Sequence, residues 1–417
     1  MRILHLVHQY LPEQLGGVEL YTWWLTQALR MRGWETSIFV PFHTAHTYPA
    51  FEQPPTLYFG YVNGKAPSTS RRFVATFSSP GLHTAFERVL DEIQPTIVHV
   101  QHLMGMPVSI FDSLRARGIP YVITLHDYWW VCANAQLLTN YDHTICDGPR
   151  AYLNCGRCVA ARLGSSLAQV AIPAFALTAA ARNHLLRNVL LGAELLLAPT
   201  TFVKQWYETR GIPAEKIQIL VPGVEPPREF LKTSTNKRSV VRFLYLGALA
   251  PQKGVHVVLE AFRRLEGDAE LWVAGHSAHD QAYEETLRAL ATPRVRFLGT
   301  LNREHVWQTL SEVDVVLVPS LWYETYCFVA HEAFAAGRPV IASNLGVLAE
   351  RVDHEVNGLL VEPGNIEAWR EAMQRVVDDP TLLVRLREGI PSLKTIDEHA
   401  EEIIQVYTRL VSSVTSS

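Results

Sequence analysis

Glu324 and Glu332 stand eight residues apart in the segment PSLWYETYCFVAHEAFAAGRPVIAS, residues 319–343. The apolar run VDVVLVPS before them reads as a strand closed by Pro319-Ser320. A loop then carries Glu324, and a helix follows with Glu332 in its first turns. Both acids fall at the carboxyl end of a strand, where open α/β sheets bind their ligands. Carboxylates accept hydrogen bonds from hydroxyls, and the exposed N–H groups of a helix start attract anions. The combination suits a ligand with sugar hydroxyls at both ends and a diphosphate between, Glu324 serving a hexose and Glu332 a ribose. Acids near a helix start also complement its dipole without binding anything. Small Ala333, Ala335, Ala336 and Gly337 let the helix pack closely, and Gly337-Arg338-Pro339 ends it before the strand VIAS.

Four other strand exits carry candidate residues. In FLYLGALAPQKGVHVVLEAF a strand, a glycine turn and Lys253-Gly254 precede a helix, which brings one ammonium to a diphosphate. Gly16-Gly17 stands just before a helix after the first strand. Paired glycines allow close backbone approach to an anionic ligand, although a plain tight turn uses the same residues. Glu19, just inside that helix, is a weaker acceptor-side candidate. His126-Asp127 follows the strand YVITL, with His126 the direct contact and Asp127 the residue that orients the loop. His99 and His102, in IVHVQH, leave a neighbouring strand and are placed along an acceptor pocket. No G-x-G-x-x-G and no Walker loop occurs, which argues against a dehydrogenase or a P-loop kinase.

Cys132, Cys146, Cys155 and Cys158 are separated by thirteen, eight and two residues. The terminal C-x-x-C has metal-ligand spacing, so a structural zinc held by four thiolates is one reading and four ordinary reduced thiols the other. A closed four-thiolate site leaves no open position, so such a zinc would clamp an insertion spanning about 132–165 rather than take part in chemistry.

The elements that position these residues alternate. Strands RILHLVH, TSIFVPF, IVHVQH and YVITLHD are separated by helices near 17–32, 80–93 and 107–117, the rhythm of a parallel sheet with crossover helices. After about residue 198 the pattern restarts with IQILVPG, then VRFLYLG, AELWVAG, VRFLGT, VDVVLVPS, RPVIAS and GLLVEP. A hinge at about 198–222 and a polar joint near 222–240 separate two α/β domains, 1–198 and 199–395. A final helix within 396–417 returns to the first.

The chain has 417 residues, 48% hydrophobic and 19% charged, with a net charge of −4. That describes a globular protein of two or three domains, and no basic stripe points to nucleic acid. The amino-terminal MRILHLVHQY reads as a first strand rather than a signal peptide, which leads us to expect a cytoplasmic protein. Between Arg162 and Arg182 no charged residue occurs, yet Pro173, Gln169, Ser165 and Ser166 make the stretch a poor membrane span. A buried or interfacial helix fits better, and Arg182, His184 and Arg187 allow peripheral contact with an anionic membrane face.

The E-x7-E block at Glu324 and Glu332 resembles that of family 4 of the retaining glycosyltransferases, which have the GT-B fold. The resemblance extends over nearly the whole chain. It implies two doubly wound Rossmann-like domains facing across a cleft, and transfer of a hexose from a nucleoside-diphosphate sugar (UDP- or GDP-sugar) to an acceptor hydroxyl with retention. In the family the first Glu holds the donor hexose and the second the ribose. The Gly-Gly loop lies by the donor phosphates, and a His like His126 meets the sugar near its C6 hydroxyl. The leaving diphosphate is met by Lys253 and by the loop N–H groups of Tyr326, Cys327 and Phe328. Glu324, His126 and Lys253 are thus the catalytic candidates, and no divalent metal cofactor is required. Two departures stand out. Ala248 replaces the usual Arg after the turn glycine, with Arg303 a candidate substitute, and Cys327 replaces a glycine three residues after the first Glu. They motivate alternatives: a catalytically impaired nucleotide-sugar-binding scaffold, or a sugar-phosphate synthase or phosphorylase on the same fold. The loops at 42–80 and 132–165 are the expected walls of the acceptor pocket. The acceptor itself, a glycan, a lipid-linked or a small-molecule hydroxyl, is left open.

Overall fold

The computed structural model describes residues 1–11, 16–43, 56–62, 68–224, 240–277 and 280–415. The chain divides into two compact units, Met1–Gly223 with Ile396–Ser417, and Val224–Thr395.

The first unit holds a seven-stranded sheet of β1 (Arg2–Leu6), β2 (Glu35–His43), β3 (Thr56–Val62), β4 (Ile97–Val100), β5 (Tyr121–Thr124), β6 (Leu195–Ala198) and β7 (Ile217–Ile219), in the order β3-β2-β1-β4-β5-β6-β7. All neighbours are parallel. The segment IQILVPG, expected to open the second domain, instead adds β7 to this sheet beside β6, with Leu196 opposite Ile217. The division therefore falls after Gly223, later than the expected 198. The expected polar joint near 222–240 lies mostly at 225–239, outside the described residues, as do 44–55 and 63–67 of the loop expected to wall the acceptor pocket.

The last helix, Ile396–Thr415, packs in the first unit through Ala400, Ile403, Val406 and Tyr407, all buried. Polar contacts lock its register. His399 Nδ1 lies 3.0 Å from the Val221 carbonyl, so that nitrogen carries the proton, and Nε2 accepts from the Tyr21 hydroxyl at 2.8 Å. Tyr407 Oη lies 2.6 Å from His99 Nδ1, and His99 Nε2 lies 2.7 Å from Thr124 Oγ1.

The second unit holds β8 (Val241–Leu246), β9 (Ala269–Ala274), β10 (Val295–Gly299), β11 (Val315–Val318), β12 (Val340–Ser343) and β13 (Gly358–Val361), all parallel in the order β10-β9-β8-β11-β12-β13. Alternate residues serve opposite faces. Phe243, Leu271, Val315 and Ile341 join one core with Trp369 and Phe262, while Leu244, Trp272, Val316 and Ala342 join another with Leu310 and Phe334. Burial of both faces explains why these strands read as continuous apolar runs.

Each sheet winds outward in both directions from a central pair, β1 and β4 in the first unit and β8 and β11 in the second. The exits of those pairs are topological switch points, where such sheets leave a crevice. Tyr407→Phe should leave a buried imidazole nitrogen of His99 without its partner. We expect it to lower unfolding free energy by about 1–3 kcal/mol, read as a reduced urea midpoint.

Candidate functional site

At the second unit's switch point the turn after β8 lies directly on the end of β11. Gly254 has φ of +71°, and a Cβ there would stand 1.9 Å from the Pro319 carbonyl oxygen. The Leu321 N–H donates to the Gln252 carbonyl at 2.8 Å. This contact carries Lys253 to Glu324, Nζ to Oε1 at 2.8 Å. The same Oε1 accepts from Ser320 Oγ at 2.7 Å and from Trp322 Nε1 at 2.9 Å, and the ammonium lies 5.0 Å from the centre of the Trp322 ring. Burial opposes the charge on Lys253, but Glu324 outweighs it and raises the lysine above its ordinary range. Ser320 and Trp322 were not singled out from the sequence; their positions four and two residues before Glu324 are the signal that was available.

Glu332 is buried in the helix Phe328–Ala335, and Arg303 Nη2 lies 2.6 Å from its Oε1. Burial raises the Glu332 carboxyl above its ordinary value while Arg303 opposes the rise. Arg303, the candidate replacement for the cation missing at Ala248, thus sits on the acid expected to bind ribose. Ala248 itself offers its carbonyl to the Tyr245 hydroxyl at 2.6 Å. The Tyr326 ring is buried, stacked on His331 at 3.9 Å and edge-on to Phe328 at 4.7 Å, so its side chain serves packing.

Cys327 stands before the helix with φ of +62°, a left-handed conformation that a glycine adopts without strain. The departure from the family's glycine thus occurs where the backbone most favours glycine. Burial pushes its thiol up to about 12, so it stays protonated at neutral pH.

In the first unit the N-terminus of the helix Gly17–Met31 already has a carboxyl group of its own. Glu19 is buried, and a Cβ at Gly16 would stand 2.4 Å from Glu19 Oε2. Gly16 makes room for the helix's own carboxylate, a reason the sequence reading of a ligand loop did not weigh. Burial raises the Glu19 carboxyl, against hydrogen bonds from its own backbone, Gln9 and Gly16. His8 Nε2 lies 3.8 Å from Glu19 Oε1, and the His8 ring lies 4.1 Å from that of His102.

His102 Nδ1 accepts from the Met104 N–H at 3.1 Å, so Nε2 carries the proton that meets Asp127 Oδ2 at 2.8 Å. Asp127 Oδ1 also takes the Trp129 N–H at 2.9 Å, which fixes the loop after β5. His126 Nε2 donates to Gln101 Oε1 at 2.7 Å, and Gln101 Nε2 donates to His5 Nδ1 at 3.2 Å. Burial lowers His126 to about 3, so the imidazole is neutral. His99 does not line an acceptor pocket. It is fully buried with both nitrogens engaged, one of them by the last helix.

The four clustered cysteines are unpaired and partly buried. Cys146 Sγ meets the Gly148 carbonyl and Asn154 Nδ2, each at 3.4 Å, and Cys158 Sγ accepts from the Asn140 N–H at 3.4 Å. Among the described residues no cluster of three or more His, Cys, Asp or Glu is arranged to hold a metal ion.

Two all-parallel, doubly wound units of this kind define a GT-B protein. Sucrose-phosphate synthase of Thermosynechococcus elongatus superposes with a TM-score of 0.74 at 21% identity, covering 99% of each chain. HepE of Anabaena, solved with UDP and glucose, gives 0.64 at 18% identity over 100% of each chain. The model described as "Glycosyltransferase Family 4" matches residues 15–228, and that described as "Glycosyl transferases group 1" matches residues 228–392. The chain belongs to Glycosyltransferase Family 4. Among curated relatives, an uncharacterized glycosyltransferase of Methanocaldococcus jannaschii is 28% identical over 47% of this chain and 54% of its own. A D-inositol 3-phosphate glycosyltransferase of Mycolicibacterium smegmatis is 31% identical over 48% of this chain and 47% of its own. The matched segments thus span about half the length of these two relatives.

Two measurements test this geometry. A glycine at 327 relieves the left-handed backbone that an alanine keeps, so Cys327→Gly should be more stable than Cys327→Ala by about 1 kcal/mol in denaturant unfolding. Equal midpoints would remove the strain argument. His5 and His126 are lowered to about 3, and His8 and His99 well below 6.5, all chiefly by burial. Folded values below the unfolded value mean that their stabilisation is full above about pH 6.5 and is lost as pH falls below it. Melting temperature should therefore drop steadily on acidification from neutrality.

Proposed function

We propose that the protein transfers a hexose from a UDP- or GDP-sugar to a hydroxyl of a glycan, a lipid-linked or a small-molecule acceptor, with retention at the anomeric carbon. The observation that carries this reading is the Lys253–Glu324 pair at the switch point between β8 and β11, beside the start of the helix Phe328–Ala335. A leaving nucleoside diphosphate gathers negative charge, and an ammonium with helix-start N–H groups answers it. The backbone N–H groups of the loop at Tyr326, Cys327 and Phe328 are assigned to that diphosphate. Glu324, held by Ser320 and Trp322, is preset to receive hexose hydroxyls, and Glu332 takes the ribose in company with Arg303. On this reading the ammonium and the helix start serve in place of a divalent ion. HepE, a structural neighbour, has been solved with UDP-glucose, which supports a nucleotide-sugar donor.

In the first unit, His126 offers a neutral imidazole to a sugar hydroxyl. It is no general acid near neutrality, so its titration should leave no inflection in kcat/KM between about pH 5 and 8. Asp127, His102 and Glu19 belong to the acceptor side. For location we propose the cytoplasm, with peripheral seating at the inner face of a membrane where the acceptor is lipid-linked.

The reading is tested by melting the protein with a panel of nucleotides and nucleotide sugars, since a ligand bound to the native state raises its melting temperature. UDP or GDP should stabilise the wild type, and Glu332→Ala should lose that shift. Equal shifts in both would count against the ribose assignment. Lys253→Ala should cut transfer by about 10²–10³-fold, with a smaller effect on nucleotide binding. Cys327 and Ala248 favour a second reading, a nucleotide-sugar-binding scaffold. Tight nucleotide binding with neither transfer nor donor hydrolysis would select it, and turnover dependent on phosphate would point to a phosphorylase.

A further inference from the structure

The outward face of the helix Ile172–Gly192 has the wrong chemistry for water. Its inward residues, among them Ala176, Ala179, Leu186, Val189 and Leu190, recur at helical spacing and are buried. The opposite face of such a helix is ordinarily polar. Here it carries exposed Pro173, Ala174, Leu177, Thr178 and Ala181, with no charged side chain among them. The preceding short helix, Ser166–Val170, separated by Ala171 alone, adds exposed Leu167 and Val170 beside Ser166 and Gln169. Leu167 is 81% exposed, Val170 82% and Leu177 74%, and Leu163 at the end of the helix Leu153–Leu163 is 52% exposed. Single exposed leucines need no explanation, but four large apolar side chains exposed within fifteen residues, on three consecutive helices, do.

The charge around this ridge is mostly of one sign, although Asp147 pairs with Arg150 at 3.6 Å and Asp142 lies by Arg157. No Asp or Glu occurs between Asp147 and Glu194, while Arg150, Arg157, Arg162, Arg182 and Arg187 do, in a chain whose net charge is −4. Arg182 is buried, and the other four are exposed. Among the described residues no helix is long and apolar enough to cross a membrane. An apolar ridge flanked chiefly by arginines fits an interface with hydrocarbon below and anionic headgroups beside it. A second copy meeting the same face by a two-fold axis would set these arginines against their own copies.

We propose that Leu163, Leu167, Val170 and Leu177, flanked by Arg157 and Arg162, seat the protein on the surface of an anionic lipid bilayer without spanning it. The proposal rests on the transferase reading only in what it adds to it, namely that the acceptor is a lipid-linked hydroxyl presented at that surface.

The test is cosedimentation of the full chain with phosphatidylcholine vesicles, with and without phosphatidylglycerol, at low and high salt. The wild type should pellet only with phosphatidylglycerol, and less so in high salt. Because both positions are exposed, Leu167→Gln with Val170→Gln should leave the fold intact and weaken partition by about tenfold or more. Arg157→Gln with Arg162→Gln should abolish the preference for phosphatidylglycerol. Wild type that fails to pellet, or pellets equally with its variants, overturns the proposal. So does light scattering that shows the leucine variant breaking up a dimer. The nucleotide melting shift of the same variants should match the wild type. A missing shift in all of them counts against the transferase reading alone, and so separates the two failures.

Discussion

The second unit's site depends on one backbone contact. The turn at Gly254 and the end of β11 at Pro319 lie so close that no side chain fits between them. Lys253 precedes that glycine and Glu324 follows that proline by five residues, so the contact itself sets the distance between ammonium and carboxylate. A wider turn would leave two solvated charges on separate loops, where an exposed ion pair is worth little. Held by the contact, and with Ser320 and Trp322 also donating to it, Glu324 keeps one orientation without a ligand. Such preorganisation spares a substrate the ordering of the groups that receive it.

The two units solve the problem of buried polar groups differently. The second keeps charges and pairs them, Lys253 with Glu324 and Arg303 with Glu332. The first keeps imidazoles neutral, because burial lowers His5, His8, His99 and His126, and threads His5, His99 and His126 into hydrogen bonds with Gln101, Thr124 and Tyr407. Neutral rings supply both a donor and an acceptor for hydroxyls, whereas paired charges suit phosphates and carboxylates. His99 shows that the same device also has a structural use, since its ring joins the last helix to the sheet.

Much of this was legible in the sequence. Strands buried on both faces read as apolar runs, and the helices Gly17–Met31 and Pro80–Ile93 were expected within a residue of their observed ends. Polar residues at strand exits marked Lys253, Glu324, Glu332 and His126 because a parallel sheet sends its exits to one edge. What depended on long-range contact was not legible. IQILVPG carries nothing local to say which sheet it joins, and only its pairing with β6 assigns it to the first. The role of His99 needed Tyr407, far along the chain, and Arg303 looked like a free cation until Glu332 was seen to hold it. Gly16 and Glu19 were read separately although they form one feature, a carboxylate folded back over the start of its own helix.

The two departures from the family pattern differ in weight. Cys327 keeps the left-handed backbone that a glycine would supply, so the loop before the helix Phe328–Ala335 retains its path and only strain is added. Ala248 removes a cation outright, and the nearest candidate to replace it is already paired. Arg303 can serve a diphosphate only by loosening from Glu332, which would leave a buried carboxylate uncompensated. A ribose hydroxyl bonded to Glu332 would offset part of that loss. On the proposed ribose assignment, nucleotide and arginine would be coupled through one acid. On the same assignment, the missing cation at 248 would throw more of the diphosphate's charge onto Lys253.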